Sequence, residues 1–505
     1  MRTLRPYQTN DLSGIRALFA KGHRKVIHVL PPGCGKTVEF AEMIRLAQGR
    51  GTRTCILTHR DSLMTQASNK LKDAGVKHGI IAPGHKFYGD KVHIASVQTL
   101  VRRLDRLGAD GLPLYNFDFM IPDEAHHCVA PTYTKIFNHF DKINEKLRVL
   151  GVTATPILGN GRGLDGVFQA MHLGIAIDEA IREGYLTAPD TYGPKKVLDL
   201  SGVKTSGSDY DRTQLAAHMD SPRITGDAVE HYSQLCPGKA AIVFCVKIKH
   251  AEDTAAAFKA AGFRSEVIHG KMPLELIRYR IAALTTGEIQ VLVSCDLVSE
   301  GTDIPAVICA IGLRPTKSLG LNIQQYTRAL RPIYADGYDL ETREGRLAAI
   351  AAGPKPRAII LDHAANCFIH KMTVDEPVDW TLAGKKRGKK GGPTMILTQC
   401  PKCLRPHKPA PKCPHINADG TPCGHIYVAA APRDPDMVGG TLEKVDKMAL
   451  RRARWSEERK CKTLEDLIEL GRKRKYQYPK KWAEIRWGFM HPKKDTPATE
   501  EEMFS

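Results

Sequence analysis

Two carboxylates and two imidazoles stand side by side in PDEAHH, residues 122–127. Side chains of these types can hold a metal, move a proton, or do both. The run before them, NFDFMI, is apolar, so Asp123 and Glu124 fall at the exit of a buried strand. Successive strand residues point to opposite faces, and the spacing is not the H-E-x-x-H of helical zinc sites. The acids therefore read as two tools rather than one ligand set. Zinc on the histidines is disfavoured because no third ligand stands nearby in sequence.

The partner of these acids lies upstream. In VIHVLPPGCGKTVEFAEMI an apolar strand, Val26 to Leu30, runs through a Gly-rich turn into a helical pattern, which is the context of a phosphate loop. Gly33 and Gly35 let backbone N–H groups close around phosphate oxygens; Lys36 reaches the β and γ phosphates; Thr37 offers its hydroxyl to Mg²⁺. Leu30 stands where G-x-x-x-x-G-K-[ST] has its first glycine, and Cys34 reads as a tolerated small residue. With a nucleotide in place, Asp123 gains a role as Mg²⁺ ligand, and Glu124 can orient and deprotonate the attacking water. His126, just past the strand, is expected to couple the site to a second lobe.

Elements must exist to position these groups. The chain has 505 residues, more than one ordinary core, with 42% hydrophobic residues, enough for sizeable cores and too many for disorder. Short β-branched strands (TCILTH, HIASV, AIVFC, IQVLVSC, VICAIGL) alternate with helical patterns, as in doubly wound α/β domains. No run reaches membrane-span length and MRTLRPYQTNDL lacks the apolar core of a secretion signal. A cytoplasmic protein without a membrane partner is expected. Thirteen cysteines fit this, several of them single residues in apolar strands (Cys55, Cys245, Cys295, Cys309). The formal charge of +19 favours a polyanionic partner.

From Leu4 to about residue 385 the chain resembles superfamily 2 helicases of the DEAD/DEAH-box type. LRPYQ (4–8) looks like the adenine-contacting first motif, with Arg5 and Gln8 toward the base. LPPGCGKT looks like motif I, LTHRDSLMTQ like Ia, ASVQTL like Ib, PDEAHH like II, and GVTATP like III. AIVFCVKIKHAEDTAAAF is similar to motif IV, SCDLVSEGTDIP to V and QQYTRALR to VI, with Thr327 in place of the family's glycine.

The resemblance implies two RecA-like lobes, each a doubly wound parallel sheet, with ATP between them. Glu300, Gly301 and Asp303 stand in register with motif V; Pro32 and Cys34 in the loop, and Gly301, Asp303 and Gln324 across from it, would join the nucleotide contacts. Arg328 and Arg331 would arrive from the second lobe as arginine fingers, so hydrolysis needs closure. Thr153 and Thr155 would couple the lobes, and Arg60, Thr99, Phe244 and Ser294 would face nucleic acid. LRPTKSLGLNIQQYTRALRP and AIILDHAAN are most similar to the phage and bacterial group related to XPB and to phage enzymes that remodel branched DNA.

Beyond the lobes, GKKRGKKGGP is a basic Gly-rich linker. Next, Cys400, Cys403, Cys413 and Cys423 lie in a Pro-rich segment too short to build a core, and a structural zinc would supply the folding energy. The C-x9-C second half leaves His415 or His425 open as a replacement for Cys423. Helical patterns then resume, with Tyr476, Tyr478, Trp482 and Trp487 among basic residues. Stacking on a single strand or fork and packing as a small helical tail both fit them.

The organisation expected is lobe 1 over 1–185, lobe 2 over 186–383, the linker over 384–397, a zinc ribbon over 398–430 and a basic aromatic helical tail over 431–505. The function expected is an ATP-hydrolysing, Mg²⁺-dependent DNA helicase or translocase acting on single-stranded, forked or branched DNA. Its alternatives are the duplex-translocating motor of a restriction or defence complex, a nucleic-acid clamp with an ATPase switch, and an RNA helicase.

Overall fold

The structure, a computed structural model, describes residues 4–85, 89–108, 111–159, 161–194, 203–206, 209–219, 222–295, 297, 304, 307–384, 398–400, 402–403, 405–407, 410–417, 420–426, 458, 461, 463–473 and 479–490. Glu300, Gly301, Asp303, all but the first residue of the basic linker, Tyr476, Tyr478 and the Trp482 side chain lie outside the described residues. The chain divides into two compact units, Met1–Val428 and Ala429–Ser505.

The first sheet contains β1 (Lys25–Val29), β2 (Thr54–Thr58), β3 (Gly79–Ile81), β4 (Val92–Ser96), β5 (Phe119–Pro122), β6 (Arg148–Thr153) and β7 (Ala170–Leu173), in the order β3-β4-β2-β5-β6-β1-β7. Every neighbouring pair is parallel. Such a sheet is covered on both faces, which is why its central strands read as unbroken apolar runs. Two clusters form these faces, one around Phe40, Ile44 and Ile94, the other around Tyr115, Phe137 and Phe140. The adjacent ends of β5, β6 and β1 then bring Asp123, Thr153 and the loop after Val29 to one edge, where ligands of open α/β sheets bind.

The second sheet begins with β8 (Pro189–Tyr192). After a short hairpin, β9 (Thr205–Ser206) and β10 (Asp209–Tyr210), come β11 (Ala241–Cys245), β12 (Ser265–His269), β13 (Val291–Cys295), β14 (Cys309–Gly312) and β15 (Ala358–Asp362). The order is β12-β13-β11-β14-β15-β8, again all parallel. AIILD is thus the strand next to the edge, and β8, the first strand of this sheet in sequence, closes it. Two parallel α/β lobes of the RecA-like kind are therefore present. The segment after the second lobe returns to the first, where the Leu382 carbonyl accepts from the N–H groups of Leu164 and Asp165.

The four-cysteine segment lies against β8. β16 (Thr398–Gln399) and β17 (Pro406–His407) pair antiparallel there. Buried Arg405 donates to Asp190 Oδ1 at 2.7 Å, to the Ile416 carbonyl and to Asn417 Oδ1, while Arg357 takes the other Asp190 oxygen at 2.9 Å.

In the second unit, helix Leu464–Lys473 opens on a reciprocal cap between Thr463 and Asp466, and Arg486 of helix Pro479–Met490 binds Glu458 at 2.8 Å. Trp487 is half-buried on that helix. Among the described residues no helix is long and apolar enough to cross a membrane.

Candidate active site

The chain leaves β1 through Leu30, whose N–H donates to the Thr153 carbonyl at 3.0 Å. Leu30 simply extends the strand, so no glycine conformation is needed there. Gly33 and Gly35 both have φ near +87°, a left-handed backbone that side-chain-bearing residues rarely adopt. Helix α1 (Pro6–Ala20) precedes this strand, and helix α2 starts at Lys36 and runs to Gln48. Its first turn, with Lys36 and Thr37, faces the space a phosphate would take.

That space is a cavity of about 620 Å³ lined from both lobes. Lobe 1 supplies Arg5, Gln8, Pro32, Gly33, Gly35, Lys36, Thr37, Asp123 and Glu124; lobe 2 supplies Gln324, Arg328 and Arg331. The structure thus collects residues more than 300 positions apart in sequence.

Asp123 follows β5, its N–H bonded to the Leu57 carbonyl, and its Oδ1 accepts from the Glu124 N–H at 3.0 Å. Burial, with Glu124 beside it, pushes its carboxyl up to about 6, a penalty that a bound cation would offset. Glu124 has φ 51°, and its buried Oε2 accepts no hydrogen bond from the described residues. A buried carboxylate at the cavity wall can serve as a base toward water.

From Glu124 a chain of contacts leads to the other lobe. His126 Nδ1 lies 3.5 Å from Glu124 Oε2 and 3.3 Å from Thr153 Oγ1. The Thr153 hydroxyl donates to the Thr155 carbonyl and accepts from the Thr155 N–H. A methyl on Gly320 would meet Thr155 Oγ1 at 3.0 Å, a tight contact that the glycine avoids where helix Leu319–Tyr326 approaches. That helix carries Gln324 and leads into the 3-10 turn Thr327–Leu330.

Thr327, in the family's glycine position, adopts ordinary helical angles and donates its hydroxyl to the Ile323 carbonyl at 2.6 Å. The turn has no need of glycine. Tyr326 anchors the helix from behind, donating to Asp362 Oδ1 at 2.7 Å across the space that Gly312 leaves open.

Two expectations need correction, those for Phe244 with Ser294 and for Cys34, and Gln8 gains a second contact. Phe244 and Ser294 are buried inside β11 and β13, Phe244 among the lobe's apolar core, so they set strand position and present no side chain to nucleic acid in this conformation. Gln8 directs its carboxamide at the loop as well as at the cavity: Nε2 donates to the Cys34 carbonyl at 3.2 Å and Oε1 accepts from the Arg5 N–H. Cys34 also falls outside the cavity lining. Its side chain is fully buried, burial pushes its thiol up to about 12, and its contribution is the carbonyl that Gln8 and Tyr7 bind. Arg60 is half-buried at the start of helix Asp61–Asp73, and Thr99 is buried in the short helix Val97–Leu100.

Tyr185 and Tyr334 also line the cavity, and no motif pointed to them. Tyr185 lies between two guanidinium groups, Arg5 at 4.8 Å and Arg346 at 4.1 Å from its ring centre. Tyr334 donates to the Gly184 carbonyl at 2.6 Å. Aromatic side chains beside Arg5 and Gln8 suit a base-binding end of the cleft.

Behind the loop, Glu39 and His28 meet at 2.7 Å beside Asp11, which accepts from His172 Nε2 at 2.9 Å. Two tetrahedral zinc ligands with bonds of ~2.1 Å would stand about 3.4 Å apart, so 2.7 Å is a hydrogen bond. Burial and Asp11 push Glu39 up to about 10, and burial pulls His28 down to about 4, which makes the contact one between neutral groups. Glu39 takes up a proton on folding between 4.5, its ordinary value, and about 10, while His28 releases one between about 4 and 6.5; the two offset each other at the acid end, and stability falls as pH rises from 6.5 toward about 10. Glu39→Gln should flatten this slope in urea titrations between about pH 6 and pH 9. A slope equal to wild type would contradict the shared proton.

The four cysteines converge as well. Their Sγ atoms lie within 4.8 Å of one another, with Cys400–Cys423 and Cys403–Cys413 both at 3.7 Å. Bonds of ~2.3 Å to a tetrahedral zinc would hold sulfurs about 3.8 Å apart, so the spacing fits. The His415 ring approaches the Pro406 carbonyl at 3.2 Å, and it is Cys423 that completes the set.

Taken together, two parallel lobes sharing a phosphate-loop cavity with arginines from the far side define a two-lobed P-loop ATPase. A family model described as Type III restriction enzyme, res subunit, matches residues 2–158, and one described as Helicase conserved C-terminal domain matches residues 227–332. A 51.5 kDa protein of a Lactococcus phage is 28% identical over 419 residues, 83% of this chain and 81% of that protein. A Saccharomyces cerevisiae protein named as an ATP-dependent helicase, IRC3, is 30% identical over 344 residues, 65% of this chain and 49% of that protein, so the chain spans about half the length of this relative. A fragment described as an HsdR subunit of a type I restriction enzyme from Vibrio vulnificus superposes with a TM-score of 0.54 at 17% identity, over 74% of this chain and 66% of that one, a likeness of fold. The chain belongs to the superfamily 2 helicases, the ATP-hydrolysing helicases and translocases.

Proposed function

We propose that this chain is a Mg²⁺-dependent, nucleic-acid-stimulated ATPase that converts lobe closure into movement on DNA, with single-stranded, forked or branched DNA as substrate. The observation that carries it is the shared cavity, where the phosphate loop, both acids and both arginines meet. Lys36 and Thr37 hold the triphosphate and its Mg²⁺ with Asp123, Glu124 activates water, and Arg328 and Arg331 stabilise charge in the transition state. Bound Mg²⁺ would supply the charge that offsets the oxygens of the triphosphate. His126, Thr153 and Thr155 pass the state of the acid to the second lobe at Gly320. DNA rather than RNA is favoured by the matched model named for a type III restriction enzyme and by a relative named as the type I restriction enzyme EcoKI endonuclease subunit, 24% identical over 401 residues. The same names support a second reading, a motor that travels on duplex DNA without separating it.

Steady-state ATPase rates on single-stranded, forked and blunt duplex DNA and on single-stranded RNA, at two salt concentrations, test the proposal. Stimulation by single-stranded or forked DNA is the expected result. Stimulation mainly by blunt duplex would favour the duplex motor, and by RNA alone would overturn the DNA reading.

For the cysteine set we propose a structural zinc. Four thiolates leave no position for water, so its work is folding, and it would fix the segment that Arg405 ties to β8. Metal analysis should find about one zinc per chain, lost in Cys403→Ser. Purified chain without zinc would defeat the assignment.

A further inference from the structure

Lys355 is fully buried, in the four residues between helix Arg343–Ala352 and Arg357, just before β15. Such a burial is costly for an amine unless its donors are used. They are used on two backbone carbonyls, Val307 and Arg331, each at 2.5 Å. Val307 leads into β14 from the motif V segment, and Arg331 is the second arginine of motif VI.

The neighbouring carbonyl, that of Leu330, accepts from the Thr187 N–H at 2.7 Å. Two successive peptide units at the root of the Arg331 side chain are thereby fixed, one by the chain entering lobe 2 and one by a lysine 24 residues further on. On the other side, Arg331 packs over the phosphate loop, where a methyl on Gly33 would meet its Cγ at 3.1 Å.

We infer that Lys355 is a positioning residue for hydrolysis, holding the Arg331 backbone against the segment that leads into β14 so that the guanidinium is aimed at the phosphates before nucleotide arrives. The inference rests on the reading of Arg331 as an arginine finger. Burial, with the Arg331 charge nearby, pulls the Lys355 amine down to about 7. An amine under that pressure stays only because the two carbonyls fix it, and what it returns is a defined finger geometry.

The test is a double-mutant cycle in the full chain: wild type, K355M, R331A and K355M/R331A, each followed by single-turnover ATP hydrolysis, ADP calorimetry and thermal unfolding. K355M should slow hydrolysis about 10-fold, the effect of losing a buried hydrogen bond, with ADP affinity unchanged within about threefold. In the R331A background it should slow hydrolysis no further. An equal loss in both backgrounds, or no loss in either, overturns the inference. Should K355M fail to fold, K355Q carries the same cycle, and failure of both to fold overturns it by assigning the lysine to core stability alone. Wild-type turnover by R331A would instead sink the finger reading itself.

Discussion

Arg331→Ala is expected to lower ATP turnover by about 10³- to 10⁵-fold while nucleotide still binds. The side chain enters the cavity from lobe 2, beyond the loop that grips the phosphates, and burial pulls its pKa down to about 10, far enough above neutrality to leave it charged. A buried cation acts most strongly where charge develops, and in the proposed reading that is the transferring phosphoryl group. In the proposed reading, ground-state contacts would come mainly from lobe 1, through Lys36, Thr37 and the Gly33–Gly35 backbone, so affinity should survive. Steady-state hydrolysis and ADP calorimetry on the same preparation separate the two effects. If both fell together, Arg331 would be a binding residue. If neither fell, the finger would have to be Arg328, which lines the same cavity.

How much of this was legible in the sequence depended on whether the signal was local. The phosphate loop and the two acids could be read because a strand, a turn and a helix N-terminus each leave a pattern over a few residues, whereas Thr153 and Thr155 came through the resemblance to motif III. Leu30 and Thr327 looked like departures, yet neither position has the backbone angles that would call for glycine. Phe244 and Ser294 misled in the opposite way. Their motifs are real strands, but alternation along a strand in a doubly covered sheet does not tell an interior residue from one at the rim. Tyr185, Tyr334 and Lys355 could not be found at all, since each gains its meaning from contacts with distant segments. The same holds for Asp190 and Arg405, which meet across 215 positions. The four cysteines were legible as a set through C-x2-C, whereas the choice between Cys423 and a histidine needed the fold.

Lys36→Ala should abolish ATP hydrolysis, a loss of at least about 10²- to 10³-fold, and unlike the arginine variant it should weaken nucleotide binding as well. Lys36 opens α2, where the helix N-terminus and the left-handed glycines already favour an anion, and its ammonium adds a mobile point charge at the phosphates. Alanine keeps the helix start and leaves both glycines untouched, so the fold should hold. One consequence sets this variant apart from a general disturbance. Lys36 also lowers the pKa of Glu39 in the buried network behind the loop. Its loss should raise Glu39 further, leaving that acid protonated and the stability slope of the network intact. Thermal unfolding close to wild type, with turnover gone and ADP affinity reduced, is therefore the expected pattern. Retained turnover would sink the phosphate-loop assignment. Unfolding of the variant would place Lys36 in the structure of the loop rather than in its chemistry.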